Sequence, residues 1–218
     1  MGLTIPKEWD FDAPTVAENF DAHVREQLPW YDLGTEVTTH IARHYIPKGG
    51  LVYDIGASTG NISRALTRIL AERNASLIAI EKSQPLAALY NGAGQVVVAD
   101  AETFDYQPFD LAVCFLVLMF LSPCARAYLL SRLRATVRHG GAIVIFDKCV
   151  PASGYVGTVM SKLALASKVV SGVPAQQIIE KELSLMGTQR PLYTHELDGA
   201  TEFFRYGDFA GWLIEATP

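Results

Sequence analysis

The sequence predicts an α/β fold, a largely parallel sheet covered by helices on both faces, and three observations carry that prediction. Five short apolar runs with a β-branched bias punctuate the chain between residues 51 and 146. Helical apolar spacing returns between them. A glycine-containing turn joins the first run directly to the first of those helices, the strand–turn–helix connection of which βαβ units are made.

The elements follow in order. Leu51–Ile55 is the first strand, and Ile62, Leu66, Ile69 and Leu70 mark the helix after it. Ser76–Ile80 is the second strand, with a short helix from Gln84 to Tyr90, and Gln95–Ala99 is the third. Phe109–Phe115 is the fourth, followed by a helix over Pro123–Val137 with its stripe at Ala127, Leu130, Leu133 and Val137. A turn at His139–Ala142 leads into the fifth strand, Ala142–Phe146. Ahead of the sheet, Val37, Ile41 and Tyr45 mark a helix between Gly34 and Tyr45 that Pro47-Lys48-Gly49-Gly50 ends. After it, Tyr155–Val170 and Ala175–Leu185 read as helices, while Thr194–Ala200 is short for a three-turn helix. Phe203, Phe204, Phe209, Trp212 and Ile214 suit two antiparallel strands joined near Gly207-Asp208. The expected organisation is one domain of about seven strands: an N-terminal wrap over 1–33, βαβ units over 34–149, a helical insertion over 150–192 and a C-terminal hairpin over 193–218.

Composition limits the function classes. With 50% hydrophobic and 19% charged residues, 218 residues suffice for one compact domain with a core. A formal net charge of −5 provides no domain-wide positive field for a polyanion, so nucleic acid as a partner stays open but unsupported. Cys114, Cys124 and Cys149 are odd in number, sit among apolar residues and show no paired spacing, as expected of buried thiols in a reducing compartment, here the cytoplasm. No basic region followed by an apolar run opens the sequence, and the longest apolar stretch, Leu111–Leu121, is too short for a membrane span. His40 and His44 lie one helical turn apart with no third ligand nearby, so no metal site is expected.

Right-handed crossovers place every strand's C-terminal end on one sheet edge, where open α/β sheets hold ligands. Asp54-Ile55-Gly56-Ala57-Ser58-Thr59-Gly60 stands there, running into a helix whose N-terminus presents N–H groups to ligand oxygen. The second strand ends in Glu81, suited to accept ribose hydroxyls, and the third in Asp100, suited to accept from an exocyclic amine. A dinucleotide turn would carry a further glycine, no Gly-Lys-Ser/Thr occurs, and neither Tyr128 nor Tyr155 is followed four residues on by lysine. An adenosyl ligand without phosphate, S-adenosylmethionine or its product S-adenosylhomocysteine, fits these acids best. Three groups are candidates for proton transfer: Asp147 and Lys148 at the end of the fifth strand, and His195.

The Asp54-x-Gly56-x-x-x-Gly60 turn, Glu81 and Ala99-Asp100-Ala101 resemble the motifs of class I S-adenosylmethionine-dependent methyltransferases. More narrowly, the chain is similar to the carboxy-S-adenosylmethionine synthase family, which makes a carboxymethyl donor for transfer-RNA modification. That similarity runs through Val24–Tyr31, Val52–Ser58, Leu77–Ser83, Leu118–Pro123, Gly140–Val144, Asp147-Lys148 and Phe209–Leu213. The resemblance implies a Rossmann-like sheet and a homodimer formed through the helical insertion. It also implies that Tyr31, Gly56, Ala57 and Ser58 line the cofactor's amino acid end, Glu81 and Lys82 the ribose, and Asp100 and Ala101 the adenine. Two departures bear on chemistry. Phe115 replaces the family's asparagine after the fourth strand, and Glu182 stands, by ungapped counting, where the family's arginine binds the extra carboxylate. A carboxylate there repels what a guanidinium attracts. Lys181 or Arg190 substitutes only if the register slips. Methyl transfer to an acceptor is therefore the expected activity, carboxymethyl-donor synthesis the alternative, and a non-catalytic binding module the second alternative.

Overall fold

The computed structural model describes residues 4–150 and 154–216. The helices are α1 (Pro14–Gln27), α2 (Tyr31–Ala42), α3 (Asn61–Arg73), α4 (Gln84–Ala88), α5 (Pro123–Thr136), α6 (Gly154–Val170) and α7 (Ala175–Ser184). The strands are β1 (Leu51–Ile55), β2 (Ser76–Glu81), β3 (Gln95–Val98), β4 (Phe109–Phe115), β5 (Val137–Lys148), β6 (Thr201–Tyr206) and β7 (Phe209–Glu215). Local chemistry sets several starts: the Ser83 and Ser122 hydroxyls accept the backbone N–H groups of Leu86 and Ala125, each with a proline in the first turn.

The seven strands form one sheet in the order β3-β2-β1-β4-β5-β7-β6. β1 to β5 are mutually parallel; β7 runs antiparallel to both β5 and β6. The order reverses at β1, between β2 and β4, so the crevice beyond the ends of β1 and β4 is the place for a ligand.

Alternate residues of each central strand feed two cores. Tyr53, Ile55, Ala112, Cys114, Ile143 and Ile145 pack with Leu129, Leu130 and Leu133 of α5. Val52, Leu111, Val113, Val144 and Phe146 pack with Trp30 and Ala42 beside α2 and with Ile62, Leu66 and Leu70 of α3. Strands buried on both faces read as continuous apolar runs, which is why their bounds are legible.

Two boundaries depart from expectation, while the short segment before β6 agrees with it. β5 starts at Val137, five residues early, because Val137 pairs with Phe109 across a bulge and Gly140 and Gly141 exchange backbone hydrogen bonds with Ala216. The expected turn at 139–142 is thus part of a strand. α2 starts at Tyr31, so the boundary drawn at residue 33 falls inside a helix. The segment before β6 forms only a 3₁₀ turn, Thr194–Leu197.

Candidate functional site

The turn after β1 depends on two glycines. Gly56 has φ +66°, and a Cβ there would stand 2.4 Å from Val117 Cγ2 in the loop after β4. Gly60 has φ +95° and would meet Gly92 N at 2.7 Å. The N–H groups of Gly56 and Ala57 both donate to Ile80 O, at 2.8 and 3.0 Å, and that of Ser58 donates to Glu81 Oε2 at 2.7 Å. These three N–H groups of the turn are spent on β2. Asp54 likewise points inward, its Oδ2 accepting the N–H of Ser63 at 3.1 Å and the Ser63 hydroxyl. It anchors the first turn of α3, and burial pushes its carboxyl up to about 6.

These turns open on a cavity of about 570 Å³, walled by the strand ends, the N-terminal wrap, α6 and α7. Tyr31, Asp54, Gly56, Ala57, Ser58, Glu81, Lys82, Asp100, Ala101, Phe115 and Lys148 all line it; Gly60 stands behind as the N-cap of α3. Glu81 is buried, and its second oxygen accepts the N–H of Ser83 at 2.8 Å. A carboxylate oxygen has more than one acceptor site, so these bonds do not exhaust its capacity. Burial raises its pKa against those backbone bonds. Asp100 is paired with Lys82 at 2.6 Å and accepts the N–H of Glu102 at 2.9 Å. Burial works against its charge, but the Lys82 ammonium outweighs burial and holds the pKa below the ordinary carboxylate value. Tyr31 packs edge-on against Phe115, centroids 5.5 Å apart, and Phe115 stacks on Phe146 at 5.0 Å. Phe115 thus shapes the wall where a polar side chain would have reached in.

Of the three proton-transfer candidates, the structure brings only Lys148 to the cavity. Asp147 is fully buried, and its carboxylate accepts four backbone N–H groups, from Val117, Leu118, Met119 and Lys148. Burial pushes it up to about 7, yet it faces no ligand, so its role is to hold the loop after β4. His195 is exposed and stacks on Tyr193, away from the cavity. Lys148 Nζ donates to Gln189 Oε1 at 2.8 Å and pairs with Asp208 at 3.5 Å and Glu182 at 3.6 Å. Glu182 also takes Lys168 at 3.0 Å. Burial acts against the Glu182 charge, but the two lysines outweigh it and keep its pKa low. The repulsion expected at that position is therefore quenched by two ammonium groups. Among the described residues no group of three His, Cys, Asp or Glu could hold a metal.

Sequence reasoning missed Asp21, His23 and Gln27, which also line the cavity, as do Trp9 of the N-terminal wrap and Lys181, which the sequence offered only through a register slip. Asp21 accepts the Thr59 hydroxyl at 2.6 Å and pairs with Arg64, tying α1 to the glycine turn. One signal was present: His23 and Gln27 sit on the same helical stripe as Val16 and Phe20, polar groups on an inward face.

Residues 52–141 match the methyltransferase-domain family. The chain is similar to the carboxy-S-adenosyl-L-methionine synthase of Wolinella succinogenes, 28% identical over 200 residues covering 88% of this chain and 83% of the relative. The corresponding synthase of Staphylococcus epidermidis is 24% identical over 213 residues, covering 95% and 93%. Among solved structures, the plantazolicin methyltransferase BpumL in complex with S-adenosylhomocysteine superposes with a TM-score of 0.60 at 14% identity, over 94% of this chain and 91% of that one. The fold is that of the class I S-adenosylmethionine-dependent methyltransferases. The matched residues hold the glycine turn, Glu81, Asp100 and Phe115; Tyr31, Lys148, Lys181 and Glu182 lie outside them.

Proposed function

We propose that this chain binds S-adenosylmethionine in the cavity at the strand ends and transfers its methyl group to an acceptor. The observation that carries this reading is the gathering of the Gly56–Ser58 turn, Glu81, Asp100 and Tyr31 on one cavity. The residues fit such a ligand. Glu81 has acceptor capacity for ribose hydroxyls and Asp100 for an amine. The Tyr31 hydroxyl has no partner among the described residues, and the Ser58 hydroxyl is buried without one, so both are free for the amino acid end. When bound, the cofactor supplies an electrophilic methyl carbon on a sulfonium. The chain's own part is to orient that carbon toward the acceptor and exclude water, which for in-line displacement is most of the catalysis. Trp9, Phe11, Phe20 and Phe120 close the cavity with apolar surface. Lys148, held by Gln189, Asp208 and Glu182, lines the cavity as a fixed cation.

The curated relatives favour a second reading, synthesis of a carboxymethyl donor. Glu182 weighs against it, because the position matched to the carboxylate-binding arginine consumes Lys148 and Lys168 in internal pairs. A binder without turnover is the third outcome. Mass spectrometry of the adenosyl ligand carried through purification, with calorimetry against S-adenosylhomocysteine, separates them. Carboxy-S-adenosylmethionine as the bound species overturns methyl transfer, and no affinity for any adenosyl ligand overturns both enzyme readings.

The acceptor is a small molecule or a component of an RNA pathway. Tyr155, Val170, Ile179, Leu183 and Met186 leave an apolar face of α6 and α7 exposed, and a second copy of the chain covers it in this reading. Light scattering should give twice the chain mass. The free thiols of Cys114 and Cys149, buried as expected, and of Cys124, which is exposed and corrects that expectation, support residence in the cytoplasm. No described helix is long and apolar enough to cross a membrane.

A further inference from the structure

The cavity is divided by charge. Carboxylates line it at the ends of β1 to β3, whereas the wall from α6, α7 and the end of β5 carries Lys148, Lys168 and Lys181 against Glu182 and Asp208. Glu182 takes Lys148 and Lys168, and Asp208 takes Lys148, so the two acids are matched by two of the lysines. Lys181 is the one left over. It is buried, makes no ion pair or side-chain hydrogen bond among the described residues, feels only the Glu182 charge in its favour, and its Nζ lies over the ring of Trp9. A desolvated cation without a counter-ion is costly, and burial, with the Lys168 charge added, pushes the Lys181 pKa down to about 6.

Two further cavity-lining side chains, both from α1, lack partners. His23 stacks on the same Trp9 ring, centroids 5.4 Å apart, and both its ring nitrogens are buried with nothing to bond. Gln27, one turn along α1, has both amide atoms in the same condition. Each residue is only 4% exposed, and both line the cavity. Buried polar groups are normally paired, and three unpaired ones on one cavity define what is missing. The missing group accepts from the Lys181 amine, an imidazole N–H and an amide, and carries one negative charge, which restores the proton that burial drives off Lys181 and pairs with the ammonium so formed. The apolar neighbours Trp9, Phe11, Phe120 and Leu185 disfavour a dianion, which would bring more charge than the wall can neutralise.

We propose that Lys181, His23 and Gln27 form a subsite for the carboxylate of a monoanionic acceptor molecule, on the wall away from the acids that hold the cofactor. The proposal rests on the S-adenosylmethionine reading above. An anion is excluded from the Glu81 and Asp100 side by like charge and attracted to the Lys181 side, so one cavity sorts a cationic sulfonium from an anionic acceptor.

The test uses the full chain saturated with S-adenosylhomocysteine and titrated calorimetrically with acetate, benzoate and 3-phenylpropionate, each against its matching primary alcohol. At least one carboxylate should bind tenfold or more tightly than its alcohol. Lys181→Met should abolish that preference while S-adenosylhomocysteine affinity stays within twofold, and Lys181→Arg should retain it. Equal binding of every acid and its alcohol by a chain that holds S-adenosylhomocysteine overturns the proposal. So does a Lys181→Met variant that loses cofactor affinity as much as carboxylate affinity, since the ammonium would then belong to the cofactor. Failure of the wild-type chain to bind S-adenosylhomocysteine overturns the cofactor reading instead, and this proposal with it.

Discussion

Glu81 Oε2 accepts the backbone N–H of Ser58 at 2.7 Å, so the turn that leaves β1 is held by the carboxylate that ends β2. The same carboxylate holds Ser83 at 2.8 Å, at the cap of α4. Glu81→Ala should cost about 1–3 kcal/mol of stability for each buried N–H left unpaired. It should also weaken S-adenosylhomocysteine binding by tenfold or more, because the ribose acceptor and the turn's anchor vanish together. Thermal melts and calorimetry read the two effects separately. Affinity within twofold of wild type would take Glu81 out of the binding site.

Tyr31 offers a cleaner separation of packing from binding. Its ring is held edge-on by Phe115 and capped by the Arg25 guanidinium at 4.9 Å, whereas its hydroxyl has no partner among the described residues. Tyr31→Phe therefore leaves the packing in place and removes one hydrogen-bonding group. The expected loss is about 0.5–1.5 kcal/mol of S-adenosylhomocysteine affinity, roughly two- to thirteenfold, with no fall in melting temperature. A lowered melting temperature with unchanged affinity would make Tyr31 a structural residue only.

The contrast between Glu81 and Asp147 shows what a sequence discloses about such a site. Both are acids at strand ends, and topology alone places each at the functional edge. Whether the carboxylate then faces a ligand depends on which distant backbone groups reach it. For Asp147 these are the N–H groups of residues 117–119, about thirty positions away in the chain, and they close it off. Leu51–Ile55 and Phe109–Phe115 were legible to the residue because burial on both faces leaves a continuous apolar signature. The start of β5 was not, since Arg138, His139, Gly140 and Gly141 become strand only through Phe109 and Ala216. The same limit hid Glu182's neutralisation, which needs lysines from β5 and α6, and the Lys181 wall, whose significance is the absence of a partner.

The buried Lys181 ammonium implies a pH signature in stability. Its folded pKa is about 6, lowered by burial first and by Lys168, with Glu182 opposing, while in the unfolded chain it lies near 10.4. His23, from α1, is the other titratable group facing it and is itself held down to about 4, so it stays neutral across this range. Between about pH 6 and 10.4 the unfolded chain binds a proton that the folded chain does not, so this group's contribution to stability rises with pH. Lys181→Met removes that dependence. The variant should be more stable than wild type by a margin greatest near pH 6 and vanishing toward pH 10.4. Urea titrations at pH 6.5, 8 and 9.5 measure the margin. One that stays constant would show that Lys181 is charged in the fold.

The last prediction concerns how the acceptor end is braced. Arg126 is 1% exposed and makes a two-pronged pair with Glu196, both contacts at 2.7 Å, while its third nitrogen donates to Arg190 O at 2.7 Å. Arg190 in turn donates its N–H to Met119 O, and Gln189 beside it holds Lys148 at the cavity. Arg126 thus fixes, from α5, the segment that positions Lys148. Breaking a buried pair by removing one partner typically costs about 3–5 kcal/mol, and Glu196, partly wetted, places the expected cost of Arg126→Met at the lower end of that range. Adding Glu196→Leu should recover much of the loss, because the stranded carboxylate is what makes the single change expensive. Cofactor affinity should survive in the double variant, since Glu81, Tyr31 and the glycine turn belong to other elements, while turnover should fall as Gln189 loosens its hold on Lys148. Urea unfolding of both variants, with calorimetry and a turnover assay on the double one, reads each step. Undiminished turnover in the double variant would remove the brace from the mechanism and leave Arg126 a residue of the fold alone.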